Sequence, residues 1–132
     1  MSSLSPARKR ILCVEDNPDL CELVAAILTD YEVTSASGVE EAWRKLCSGE
    51  FSVIVLDYHL IDGDGIALCR RVREAGMQLP VLFITSDDDL TEIQVREAGA
   101  QELVPKRDPR FIDELLEAVE RLSGADPVTS TV

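Results

Sequence analysis

Short apolar runs alternate with longer amphipathic stretches along almost the whole chain. Ile11 to Val14, Val33 to Ala36, Phe51 to Leu56, Val81 to Thr85 and Glu102 to Val104 have the length and composition of strands. Between them the apolar positions recur at helical spacing. Asn17 and Pro18 suit the cap and first turn of a helix whose apolar face is Leu20, Leu23, Val24, Ile27 and Leu28. Ser37 and Glu40 have the form of a capping box for a second helix, with Val39, Ala42, Trp43 and Leu46 inward and a stop near Gly49. A third helix is expected from about Gly65 to Glu74, ending near Gly76, and a fourth from about Asp88 to Ala98, ending at Gly99. Asp108-Pro109 opens a fifth, with Ile112, Leu115, Leu116, Val119 and Leu122 as its buried stripe and its end before Ser123-Gly124.

The middle strands are rich in Val, Ile and Leu rather than alternating polar and apolar. That pattern predicts a parallel sheet covered on both faces, in a doubly wound α/β fold with five strands and five helices. The 132 residues suit one domain, and 45% hydrophobic content is enough for a continuous core. The expected division is a flexible segment over 1–9, the domain over 10–122 and a flexible tail over 123–132.

Charge narrows the possible partners. Lys and Arg total 13 against 25 Asp and Glu, a net charge of -12 that repels nucleic-acid phosphates and anionic lipid heads, so direct nucleic-acid or membrane binding is not expected. The longest apolar runs fall far short of the roughly 20 residues of a membrane span. Residues before Ile11 are polar and basic without a signal-peptide core, which points to the cytoplasm. Cys13, Cys21, Cys47 and Cys69 form no Cys-x-x-Cys pair and each falls in an apolar pattern, so they are expected as reduced core residues.

In folds of this kind ligands sit at the carboxyl ends of the strands, beside the point where strand order reverses. The first strand ends in Glu15-Asp16, the third in Asp57, the fourth in Thr85-Ser86, and Lys106 follows the fifth. Taken singly, these residues suit helix-start acids, a strand-end cap, a turn residue and a solvated lysine, and Asp62, Asp64 and Asp87 to Asp89 suit turns and caps. Their joint placement is the informative feature. Three carboxylates at one spot repel one another unless a hard divalent cation such as Mg2+ lies among them. Such a cation would also let a phosphoryl group approach, with Lys106 as a second positive charge and Thr85 as a hydrogen-bonding hydroxyl.

From about Arg10 to Leu122 the chain resembles the receiver domains of two-component response regulators. Glu15-Asp16, Asp57, Thr85 and Lys106 match that family's acidic pair, phospho-accepting aspartate, hydroxyl residue and lysine in order and approximate spacing. Val55-Leu56-Asp57, Asp64-Gly65, Leu79-Pro80-Val81 and Ala98-Gly99-Ala100 add to the match. The resemblance implies a flavodoxin-like sheet of order 2-1-3-4-5. It implies that Asp57 takes a phosphoryl group from a phosphohistidine on a sensor histidine kinase or phosphotransfer protein and loses it by self-catalysed hydrolysis, without being a turnover enzyme. Mg2+ would be held by Asp16, Asp57 and the backbone carbonyl of His59, with Glu15 acting through water. Output would be protein binding or onward phosphotransfer through the face of the fourth helix, fifth strand and fifth helix, which is also a possible homodimer surface.

Three positions depart from the family pattern. Leu103 stands where many members carry an aromatic ring that turns inward, Arg107 where a proline, often cis, usually follows the lysine, and Ile61 where proline is common. Leucine cannot make the aromatic switch. A trans bond is expected before Arg107, because a non-proline cis bond costs about 2.5–4 kcal/mol, and the loop at Ile61 is expected to be more mobile. His59, the only histidine, is expected to border the site without ligating through its ring.

Other classes fit less well. A phosphorylation-independent module is the alternative that Leu103 and Arg107 suggest, and a receiver excised from a larger regulator or hybrid kinase is compatible with the polar termini. A phosphatase of the haloacid dehalogenase type needs a second acid where His59 stands. A flavin or nucleotide carrier wants an anion-cradling loop where Glu15-Asp16-Asn17-Pro18 is acidic.

Overall fold

A computed structural model describes residues 8–124 of the chain; of the expected flexible segments over 1–9 and 123–132, residues 1–7 and 125–132 lie outside the described residues, while Ser123 belongs to the last helix. The elements, in chain order, are β1 (Arg10–Val14), α1 (Pro18–Ile27), β2 (Glu32–Ala36), α2 (Val39–Ser48), β3 (Val53–Asp57), the two-residue strands β4 (His59–Leu60) and β5 (Gly63–Asp64), α3 (Gly65–Glu74), β6 (Val81–Thr85), α4 (Glu92–Glu97), β7 (Glu102–Pro105) and α5 (Phe111–Ser123).

Five strands form a parallel sheet of order β2-β1-β3-β6-β7. With the small antiparallel hairpin β4–β5 set aside, this is the 2-1-3-4-5 order expected. The central strands are wholly enclosed, and successive residues face opposite layers. Leu12, Val14, Ile54, Leu56, Val81 and Phe83 join the core beneath α2, α3 and α4. Ile11, Cys13, Val53, Val55, Leu82 and Ile84 join the core beneath α1 and α5. Each such side chain contributes about 1.5–3 kcal/mol of transfer free energy, which holds the strand ends in fixed register.

Helix starts follow local chemistry, with three differences from expectation. Asn17 Oδ1 accepts from the Asp19 amide at 2.9 Å, as the cap of α1 should. The box expected between Ser37 and Glu40 is absent. Ser37 bonds instead to Glu41 Oε1, and the first amides of α2 are taken by Asp62. α4 begins at Glu92 rather than Asp88, because Asp87 turns the chain by accepting from the Asp89 amide while Thr91 and Gln94 make a reciprocal capping box. α5 begins at Phe111, since Asp108 Oδ1 accepts from the Arg110 amide in a turn. The apolar faces also shift: Leu23, Ile112 and Leu116 are exposed, while Phe111 and Ala118 are buried. All four cysteines are free, but only Cys13 and Cys69 are buried, and Cys47 lies on the exposed side of α2.

Candidate acidic site at the carboxyl ends of β1, β3 and β6

β1 lies between β2 and β3, so strand order reverses beside it, and the loops after β1 and β3 diverge there. The register carries the polar residues to one level. Val14 pairs with Leu56 and Asp57 pairs with Ile84, so Glu15-Asp16, Asp57 and Thr85 emerge together at the sheet's carboxyl end. Lys106 reaches them because its amide donates to the Thr85 carbonyl at 2.8 Å, which extends β7 by one residue.

Among the described residues the buried polar side chains are Glu15, Asp57 and Thr85, at 3%, 5% and 3% exposure. Lys106 Nζ lies 2.8 Å from Glu15 Oε1 and 3.2 Å from Asp57 Oδ2. The other Glu15 oxygen accepts from the Asn17 amide at 3.1 Å. Asp16 is exposed at the rim, yet Glu15, Asp16 and Asp57 each place a carboxylate oxygen within 4.8 Å of the others. With all three carboxylates ionised against one ammonium, an excess of two negative charges remains, the charge of one divalent cation. The donors are all hard oxygens, as Mg2+ prefers.

The electrostatics follow from this crowding. Burial pushes the Glu15 carboxyl up to about 7, against the lowering effect of Lys106. Burial also disfavours the Lys106 ammonium, but its hydrogen bond to Glu15 and the charge of Asp57 outweigh that and hold its pKa above the ordinary lysine range.

Thr85 Oγ1 accepts from the Asp87 amide at 2.9 Å, leaving the hydroxyl hydrogen available for another acceptor. At the rim, His59 Nε2 meets Asp87 Oδ2 at 2.9 Å, joining the loop after β3 to the loop after β6. Asp87 is held below the usual carboxylate range by the Asp89 amide and by His59. This pairing went unread in the sequence, where Asp87 to Asp89 suggested turns and caps alone. The spacing of His59 and Asp87, each two residues beyond a site residue, was the available signal.

The residues expected at the site thus divide in two. The structure brings Glu15, Asp16 and Asp57 into one carboxylate cluster, sets Lys106 against Glu15 and Asp57, and places Thr85 on the adjacent strand end, while the His59 side chain turns to Asp87. At the departing positions, Leu103 is half-buried against the core beneath α4, Ile61 is 79% exposed, and no peptide bond among the described residues is cis. Arg107 reaches Asp88 at 3.4 Å on the surface. No described helix is long and apolar enough to cross a membrane.

Comparison with known proteins agrees with this geometry. Protein RcaC of Microchaete diplosiphon is 34% identical over 122 residues, covering 89% of this chain and 19% of its own length. The alkaline phosphatase synthesis transcriptional regulatory protein PhoP of Bacillus subtilis is 32% identical over 119 residues, covering 87% of this chain and 50% of its own. The chain therefore spans half or less of these relatives. Among solved structures, the response regulator TrrA of Thermotoga maritima, in complex with Mg(2+)-BeF, aligns with a TM-score of 0.77 at 30% identity, covering 86% of this chain and 98% of that one. The sequence model of the response regulator receiver domain matches residues 11–120, and the chain belongs to that family.

Proposed function

We propose that this chain is a phospho-accepting receiver in a two-component phosphorelay, with Asp57 as acceptor and Mg2+ as its cation. The observation that supports this most is the buried Asp57 carboxylate, 3.2 Å from Lys106 Nζ and sharing one 4.8 Å cluster with Glu15 and Asp16. Receiver domains are signalling modules, and the domain here is taken as residues 10–122.

Asp16, Asp57 and the His59 backbone carbonyl would hold Mg2+ directly and Glu15 through water, and the bound cation would neutralise charge on the phosphoryl oxygens. One Asp57 oxygen bonds to phosphorus as the phosphorus–nitrogen bond to the donor's imidazole breaks. The donor is a phosphohistidine of a sensor histidine kinase or phosphotransfer protein. Lys106, already turned toward Asp57, pairs with a phosphoryl oxygen, and Thr85 donates its free hydroxyl hydrogen to another. Most of the rate advantage is positioning and charge neutralisation, so no separate base is required. Hydrolysis of the acyl phosphate by water resets the domain. Output runs through protein contacts or onward transfer at the α4-β7-α5 face, which also serves a possible homodimer.

Intact-mass spectrometry of wild type and Asp57→Asn with a small-molecule phosphodonor tests this. One added phosphoryl group that requires both Asp57 and Mg2+ is the expected result. No addition under any condition would favour a phosphorylation-independent module, in keeping with the half-buried Leu103 that replaces a mobile ring.

A further inference from the structure

The loop that follows Asp57 is fastened to two neighbouring elements. β4 and β5 fold it into a hairpin, with His59 opposite Asp64 and Leu60 opposite Gly63. At its tip the Asp62 carboxylate spans to α2, accepting from the Val39 amide at 2.6 Å and the Glu40 amide at 3.2 Å. These are orphan donors of a helix whose own N-cap, Gly38, has no side chain. A Cβ at Gly38 would come 2.5 Å from Asp62 Oδ1, so a larger residue there must displace the carboxylate. A Cβ at Gly63 would come 3.1 Å from Val39 Cγ2. The two amides hold the Asp62 carboxyl below its ordinary pKa range. The other side of the hairpin is tied to the β6–α4 loop through His59 and Asp87 at 2.9 Å.

The segment that begins two residues after Asp57 is thus a strap pinned on both sides of the acidic cluster, and one pin is a helix cap supplied from 23 positions away. We propose that Asp62 is a positioning residue for the acidic site: clasped by the first two amides of α2, it holds the strap, and with it the backbone at His59, in the conformation that loads a divalent cation. This rests on reading the cluster as the cation-dependent phosphoryl acceptor. The attachment continues beyond the strap. Glu40, whose amide is capped, pairs through its carboxylate with Arg71 at 3.0 Å, and Arg71 lies 4.1 Å over the ring of Trp43, the chain's one tryptophan. Movement of the strap therefore changes the surroundings of a natural fluorophore.

Mg2+ titration of the intact chain by calorimetry, with Trp43 emission followed in parallel, tests the assignment. The variants are Asp62→Ala, Asp62→Asn and Gly38→Ala, measured at a temperature where circular dichroism shows all of them folded. Asp62→Ala and Gly38→Ala are expected to weaken Mg2+ binding about tenfold, the lower end of what outer-shell partners contribute. Asp62→Asn keeps a capping oxygen and is expected to stay within about twofold of wild type, since Asn caps as well as Asp. Equal loss in Asp62→Asn and Asp62→Ala would mean that charge, not position, matters, and would overturn the assignment. So would wild-type affinity in both Asp62→Ala and Gly38→Ala. Failure of the wild type itself to bind Mg2+ would instead remove the reading of the site, and this assignment with it.

Discussion

The interior of the central strands and their carboxyl ends are equally hidden from solvent and held by opposite physics. Leu12, Ile54 and Phe83 are fully enclosed, and the chain then places Glu15, Asp57 and Thr85 at 3–5% exposure directly at the ends of the same strands. In the interior, burial is favourable whatever the neighbour, because apolar surface leaves water. At the ends, burial is unfavourable until an opposite charge or a donor is supplied, and Lys106 supplies only one charge for three carboxylates. The interior stabilises unconditionally; the rim is stable in proportion to what binds it.

The contrast can be broken most forcefully from the interior. Phe83→Ala, beneath α3, should lower unfolding free energy by about 3–5 kcal/mol in urea titrations, with no dependence on Mg2+ beyond that of the wild type. Lys106→Met leaves Glu15 and Asp57 without their counter-charge and should destabilise by about 2 kcal/mol, below the 3–5 of a fully enclosed broken pair because Lys106 is partly exposed. Unlike the Phe83 loss, this one should shrink when Mg2+ is added. In the wild type, Mg2+ at about 100 times its dissociation constant should raise stability by about 2.7 kcal/mol in thermal melts, and a melting temperature indifferent to Mg2+ would erase the distinction between the two regions.

The smallest effect lies outside both. Ser37 amide and hydroxyl bonds hold the Glu41 carboxyl down to about 2, from 4.5. A depressed acid stabilises above its unfolded value and loses that contribution as pH falls toward its folded value. Glu41→Gln should therefore cost under about 1 kcal/mol at neutral pH, given its partial exposure. That difference should fade between pH 4.5 and 2, as read from urea midpoints across that range.

The sequence was most informative where structure depends on nearest neighbours and apolar runs. The boundaries of β6 and α3 fell where Val81 to Thr85 and Gly65 to Glu74 placed them, and Glu15, Asp16, Asp57 and Lys106 meet because a parallel sheet aligns its strand ends. What stayed hidden depends on partners distant in the chain. Nothing near Ser37 announces that α2 is capped from Asp62, and three consecutive aspartates at 87–89 look like a helix start until Thr91 and Gln94 prove the better cap. The face of α5 differs for a related reason: Ile112 and Leu116 keep helical period with Leu115 and Val119, but the row turned to the core is Phe111, Leu115, Ala118, Val119 and Leu122, and periodicity alone does not say which edge of a wide stripe is covered.

At the end of the sheet away from the site, Lys9 Nζ donates to the Ser123 carbonyl at 2.7 Å, and the Tyr31 and Ser123 hydroxyls meet at 3.2 Å. The first strand and the last helix therefore begin and finish side by side. A short peptide bridging them would turn the domain into a ring that could be reopened at a surface loop such as the one after α3, giving a circular permutant with its acidic chemistry untouched. For the same reason the domain can be spliced into a longer polypeptide as a cassette, both splice points sharing one pole and leaving the acidic pole uncovered.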